Sequence, residues 1–293
     1  VTYLEKEGFP PLHIEGRKLH GGKIKVAGNI SSQFITALML IGPTLPQPLE
    51  IEIEDDPLSR PYIIMTQKLM ERCGAQVSFE GNEIVIKPGR YRSHDFDIEQ
   101  DWSAAAFWMS FVSLARKASL TLENLRPESL QGDSQSTELF DLLGVKSEFT
   151  DKGLLLTKQD LKSTDAAWDF RDHPDLVQPS AISAAIQNIA FTFSGLDNLR
   201  LKETDRIAAI ENELSKIGIK ANVDGHTLTI QGGTFSKPSA FFEAYEDHRM
   251  VMSIAPLSMV FDEILIENPL VVSKSYPNFW KEVERFVDVR PVR

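Results

Sequence analysis

The chain has 293 residues, 42% of them hydrophobic and 25% charged, a globular mix that excludes collagen-like and disordered classes and, at about 150 residues per domain, points to two domains. A net charge of -11 and a pI near 5.1 exclude a general binder of nucleic acid or of anionic membrane, which needs a broad basic surface, but leave room for a local cation cluster around a small anion. The single cysteine, Cys73, excludes an intrachain disulfide and a multi-cysteine zinc site and suits a reducing, cytoplasmic compartment.

Val1 to Gly16 reads as the closing hairpin of a repeat whose helices are absent, and the start lacks an initiator methionine and the apolar stretch of a secretory signal. Apolar-faced helices are expected from Ser31 and from Ser59, the second ending at Gly74. Val77-Ser78-Phe79 then alternates as a strand, and Gly81-Asn82 suits a tight hairpin turn. Composition shifts between Arg90 and Gln100, which places a domain boundary after residue 98: residues 1–98 form an incomplete first domain and residues 99–293 a second. The longest apolar run, Ala104 to Ala115, is too short for the ~20 residues of a membrane span and reads as a buried helix opening near Ser103. Further helices are expected from Gln131, Asp175, Glu203, Asp247 and Ser275, with Gly144 and Gly218 as C-caps and Asp224-Gly225 as a second tight turn.

These elements repeat. One set of helix starts falls at 31, 103, 175 and 247 and the other at 59, 131, 203 and 275, every step being 72 residues. Segments Met65–Lys87, Ser136–Lys158 and Ala209–Gln231 share a helix, a glycine and a strand-turn-strand pattern. The fold class is therefore α/β, with repeated βαβαββ units, each too small to bury its own sheet face, packed around a common core. Equivalent edges of successive units then meet at one cleft.

Those edges carry the chemistry. Helix N-termini offer unpaired backbone N–H groups and about half a positive charge, which makes them anion sites. Taken singly, Ser31, Ser103, Asp175 and Asp247 are ordinary capping types, Lys202-Glu203-Thr204-Asp205-Arg206 is a solvated helix start, Lys274 is a surface lysine, and His248 and Tyr62 are packed side chains. Joint occurrence outweighs this: Lys202, Arg206, Arg249 and Lys274 stand at equivalent edges in an acidic chain, Lys202 and Arg206 four apart on one helix face. No phosphate loop, dinucleotide fingerprint or Gly-x-Ser-x-Gly elbow is present, and the six histidines lack metal-ligand spacing.

Asn29-Ile30-Ser31-Ser32-Gln33-Phe34, Ser59-Arg60-Pro61-Tyr62, Gln131-Gly132-Asp133, Pro174-Asp175, Lys202-Glu203-Thr204-Asp205-Arg206, Asp247-His248-Arg249-Met250 and Lys274-Ser275-Tyr276-Pro277 together resemble, in order and along essentially the whole chain, the 5-enolpyruvylshikimate-3-phosphate synthase family. The resemblance implies an inside-out α/β barrel with units about a pseudo-threefold axis, two domains closing over the substrates, and carboxyvinyl transfer from phosphoenolpyruvate to the 5-hydroxyl of shikimate 3-phosphate without metal or cofactor. It implies that Ser31, Ser32, Gln33, Ser59, Tyr62, Asn198 and Lys202 hold shikimate 3-phosphate, and that Arg206, Arg249 and Lys274 hold phosphoenolpyruvate. Asp175 and Glu203, with Lys202 beside them, are the implied proton-transfer groups, one carboxyl protonated and one ionised at a given step.

The family's N-terminal Lys-Ser and arginines have no counterpart here. The chain is thus expected to be truncated, to turn over slowly by itself, and to be completed by that segment in trans. Its other expected partners are the two small-molecule substrates, with no nucleic acid and no membrane. Two alternatives stand beside this reading. One is the sister UDP-N-acetylglucosamine enolpyruvyl transferase, against which Cys73 falls at a helix end and not in a loop; the other is a non-catalytic anion-binding scaffold.

Overall fold

Alternation of apolar and charged residues makes half-buried strands, and glycine-ended amphipathic runs make helices against them. The computed structural model describes residues 1–29, 31–232 and 240–291; Ile30 of the first motif lies outside the described residues. Strands β1 (Thr2–Tyr3) and β2 (Leu12–His13) pair antiparallel as an exposed hairpin. A full unit follows: β3 (Gly22–Ala27), α1 (Ser32–Ile41), β4 (Leu49–Glu54), α2 (Arg60–Arg72), β5 (Val77–Glu80) and β6 (Glu83–Ile86). Its sheet runs β3-β4-β6-β5, with β3 parallel to β4 and the other neighbours antiparallel.

The second unit comprises α3 (Trp102–Leu114), β7 (Ser119–Leu122), α4 (Ser136–Asp141), β8 (Val145–Thr150) and β9 (Gly153–Lys158). The third comprises β10 (Asp165–Asp169), α5 (Val177–Ile186), β11 (Ala190–Ser194), α6 (Arg206–Lys216), β12 (Ala221–Asp224) and β13 (Thr227–Ile230), its sheet repeating the first unit's order as β10-β11-β13-β12. The fourth comprises β14 (Ala240–Phe242), α7 (His248–Ile254), β15 (Ile264–Ile266) and α8 (Phe279–Val283). Here β14 and β15 pair in parallel, as β3 pairs with β4 and β10 with β11.

Burial follows the pattern. Along β4, Leu49, Ile51 and Ile53 face in, while Glu50 and Glu54 face out. They pack with Ile35 and Met39 of α1, Ile63 and Met70 of α2, and Ile84 and Ile86 of β6 into one core. A larger core holds the later units, with α3, α5 and α7 in mutual contact at its centre. All ten residues of α5 are buried, and in α3 only Ala104 is not fully so; helices apolar all round belong in such a position. Small residues let them approach closely: Ser110 Oγ of α3 lies 2.6 Å from Ser183 Oγ of α5. Residues 87–101, between the two cores, carry no helix or strand.

Several expectations shift. The second unit has a three-stranded sheet, β7-β9-β8, without the parallel first strand. The helix near Ser103 is capped by Asp101, and Asp175 caps nothing, because it lies inside a 3-10 turn, Pro174–Leu176, ahead of α5. Ser59 stands before α2 at φ 56° with no capping bond. Helix α6 is capped by Asp205, so Lys202 lies on the preceding loop and does not share a helix face with Arg206. Around Ser275, a 3-10 turn, Pro269–Lys274, precedes α8, which begins only at Phe279. Asp224 pairs with Thr227, which moves the tight turn one residue on, to Gly225-His226. At the helix starts among these, a short turn or a loop carboxylate satisfies first N–H groups that periodicity alone assigns to the helix.

The start of α2 packs on the later units. Ser59 N–H donates to Arg171 O at 3.1 Å, Arg60 N–H donates to Asp172 Oδ1 at 3.1 Å, and Arg171 pairs with Asp56 at 3.0 Å. A Cβ on Gly132 would stand only 2.7 Å from Pro61 Cβ, so this contact requires glycine.

Candidate active site

The starts of α1 and α2 and the turns before α5 and α6 open onto one cavity of about 250 Å³. Ser31 caps α1, its Oγ accepting from Gln33 N–H at 3.3 Å, which fixes Ser32 and Gln33 at the cavity edge. Ser59 and Tyr62 line it from α2, Asp175 from the turn before α5, and Asn198 and Lys202 from the loop before α6. All seven residues expected around one ligand therefore line a single cavity with Asp175. Sequence reasoning missed Thr36, Met65 and Thr66, which complete the wall. Helical spacing could have found them: Thr36 follows Gln33 by one turn, and Met65 and Thr66 follow Tyr62.

Beside the cavity is a web of ion pairs. Arg206, 1% exposed, donates from Nη1 to Asp175 Oδ1 at 2.8 Å, from Nη2 to Glu203 Oε2 at 2.7 Å and from Nε to Asp247 Oδ2 at 2.9 Å. Arg249 reaches the other oxygen of Asp175 at 2.9 Å, and the exposed Lys274 stands 3.7 Å from Glu203. Asp247 also caps α7, its Oδ1 accepting from Arg249 N–H at 2.9 Å. The four expected cations are thus gathered, three through shared carboxylates and Lys202 through its charge on Asp175. Arg206 differs from the expectation of an open anion clamp, since it lies beneath the surface with carboxylates on three sides.

Ionisation follows from this web. Burial works to raise the Asp175 pKa, but Arg249, Arg206 and Lys202 outweigh it and hold the carboxyl below its ordinary value. Glu203 is likewise lowered: burial opposes, while its own backbone N–H, Arg206 and Lys274 prevail. Both carboxyls are therefore favoured in the ionised form in the ligand-free site. The neighbouring Asp133 is the group that moves the other way, raised by its burial and by the charge of Asp175.

A family model described as EPSP synthase (3-phosphoshikimate 1-carboxyvinyltransferase) matches residues 1–283. A 3-phosphoshikimate 1-carboxyvinyltransferase of Bacteroides fragilis (strain YCH46) is 40% identical over 288 residues, covering 97% of this chain and 70% of the relative. One from Methanospirillum hungatei is 31% identical over 291 residues, covering 97% and 67%. In fold, the chain is similar to EPSP synthase from Acinetobacter baumannii, with a TM-score of 0.72 at 20% identity over 99% of this chain and 68% of that one. A second structure of the synthase from that organism gives 0.71 over 92% and 63%.

Proposed function

Because the chain belongs to the EPSP synthase family, we propose that its own cavity and cationic wall serve carboxyvinyl transfer from phosphoenolpyruvate to the 5-hydroxyl of shikimate 3-phosphate. The chain spans 70% of the Bacteroides relative and 63% of one of the solved synthases, so substrates and activity are proposed here for the site it contains. The observation that carries the reading is Asp175, which lines the cavity with one face and bridges Arg206 and Arg249 with the other.

Shikimate 3-phosphate fits the hydroxyl and amide side. The α1 N-terminus with Ser31, Ser32 and Gln33 suits its phosphate, and Ser59, Tyr62, Asn198 and Lys202 suit its ring oxygens and remaining charge. Phosphoenolpyruvate is assigned to Arg249 and Lys274, whose cations match a phosphate and a carboxylate, with the buried Arg206 behind them holding Asp175 and Glu203. In the first step the 5-hydroxyl oxygen bonds to the enol carbon, the hydroxyl proton leaves, and the methylene carbon gains a proton to become a methyl. In the second the methyl returns a proton, the carbon–oxygen bond to phosphate breaks, and the vinyl group is restored. In this reading Asp175 takes the hydroxyl proton and Glu203 exchanges the proton at the methylene carbon. Glu203 must first be protonated, and anion binding supplies the reason. A phosphate and a carboxylate that pair with Lys274 weaken its hold on the ionised Glu203 and add negative charge beside it, which favours the protonated form.

Calorimetry tests the reading. Titrating shikimate 3-phosphate into the chain is expected to give saturable binding that Ser32→Ala or Lys202→Ala weakens. Absence of heat with the unsubstituted chain, or binding indifferent to both substitutions, would overturn it.

A further inference from the structure

Asp133 follows Gly132 on the 3-10 turn Gly132–Gln135, which packs against Pro61. It is fully buried, and none of the roles above falls to it. Ser103 Oγ of α3 donates to its Oδ2 at 2.5 Å. Its Oδ1 is buried without a hydrogen bond, and His173 Nδ1, equally unpartnered, is 3.9 Å away. The Tyr62 phenol, on the cavity wall, faces this carboxyl, and each group perturbs the ionisation of the other. A buried carboxyl with an open oxygen beside a cavity is costly unless a neighbour uses it.

We infer that Asp133 is a positioning residue for the cavity: anchored by Ser103, its carboxylate accepts a hydrogen bond from the Tyr62 hydroxyl and fixes the phenol toward the ligand. The ligand is shikimate 3-phosphate if the function proposed above holds. The link joins two parts of the molecule, since Tyr62 stands on α2 over the smaller core and Asp133 on a turn of the larger one. The groups facing Asp133 are Tyr62 from α2, Ser103 from α3, His173 and Asp175 from the segment leading into α5, and Arg249 from α7. Burial and Asp175 raise the carboxyl, to about 7, against Ser103, Arg249 and Tyr62. The ionised form accepts from the phenol and the neutral acid accepts less well, so the phenol is gripped more firmly as pH rises through that value.

Two measurements on the whole chain test this. In the ligand-free protein carrying ¹³Cζ-tyrosine, the Tyr62 signal, assigned by its loss in Tyr62→Phe, is expected to follow one titration between roughly pH 5 and pH 9 and to be flat in Asp133→Asn. Ser103→Ala, which retains both partners, is expected to move that midpoint upward, because the lost hydrogen bond favours the ionised form. A flat signal in the unsubstituted chain, or a titration surviving in Asp133→Asn, would overturn the inference whether or not a ligand binds. Calorimetry with shikimate 3-phosphate then reads the coupling. Asp133→Asn is expected to weaken binding about tenfold, as for a hydrogen bond to a charged group, and to have no further effect in Tyr62→Phe. Equal losses in both backgrounds would show a structural residue and sink the proposal. No binding by the unsubstituted chain would count against the proposed function and leave the resonance titration to decide this one.

Discussion

Three carboxylates surround Arg206, and they come from positions 175, 203 and 247, one from each of three neighbouring segments. Asp247 is the fully buried member, pairing with Arg206 and capping α7. Removing one partner of a buried pair leaves the other charge uncompensated. Asp247→Ala is therefore expected to destabilise the fold by about 3–5 kcal/mol, read from the urea midpoint. Glu203 stands at the rim of the same web with its side chain 30% exposed, so its loss bears on chemistry more than on folding. In a phosphate-release assay with the family's N-terminal segment supplied, Glu203→Gln is expected to lower turnover ~10²–10⁴-fold while binding of shikimate 3-phosphate changes little. Normal turnover by this variant would show that the proton passes elsewhere. The residue types were legible in the sequence and their sharing was not. Arg206 and Lys274 both read as anion clamps, yet Arg206 is buried and Lys274 exposed, a difference fixed by partners far away in the chain.

Glycines end the repeated helices at φ 84°, 75° and 81° for Gly74, Gly144 and Gly218. After α6, Gly218 N–H donates to Ser215 O and Ile219 N–H to Leu214 O, both at 3.0 Å, which closes the last turn. An L side chain in this left-handed region carries a penalty of roughly 1–2 kcal/mol. Gly218→Ala is expected to lower stability by about that amount in urea unfolding, without altering ligand binding. Equal stability would mean that the turn relaxes freely. The recurrence of the unit was legible because glycine ends and hairpin turns depend on local chemistry, but its even 72-residue step was not kept: the two sets of helices begin at 32, 102, 177 and 248 and at 60, 136, 206 and 279. Helix starts were legible only to within a few residues. Asp205 caps α6 two positions past Glu203, and α8 waits until Phe279, because 3-10 turns and loop carboxylates intervene. Such devices leave no periodic trace.

Over the whole molecule, α3, α5 and α7 meet in one large core, and residues 24–86 close a smaller one around α1 and α2. The smaller core holds fewer buried apolar side chains and has fewer units to lean on. Amide hydrogen exchange is therefore expected to be faster across β3 to β6 than across α3 and α5, with the change of rate falling between 87 and 101. Equal protection on both sides would show one cooperative body held by the Gly132–Pro61 contact. That contact was not legible: Pro61 and Gly132 were read as parts of two motifs, and only the folded chain sets one against the other.

The β1–β2 hairpin has a further consequence. Residues 1–20 are exposed throughout, Ile14 to Gly21 have no helix or strand, and none of these residues lines the cavity. A protease meeting the native chain finds there an accessible backbone able to fit its cleft, whereas α5 offers none until the larger core opens. Brief digestion is expected to cut the two exposed stretches without helix or strand, residues 14–21 and 87–101, and a fragment cut only at the first begins near β3 and retains Ser31 through Lys274. That fragment is expected to bind shikimate 3-phosphate with the affinity of the whole chain. If trimming abolished binding instead, the hairpin would be holding the α1 end of the site in place.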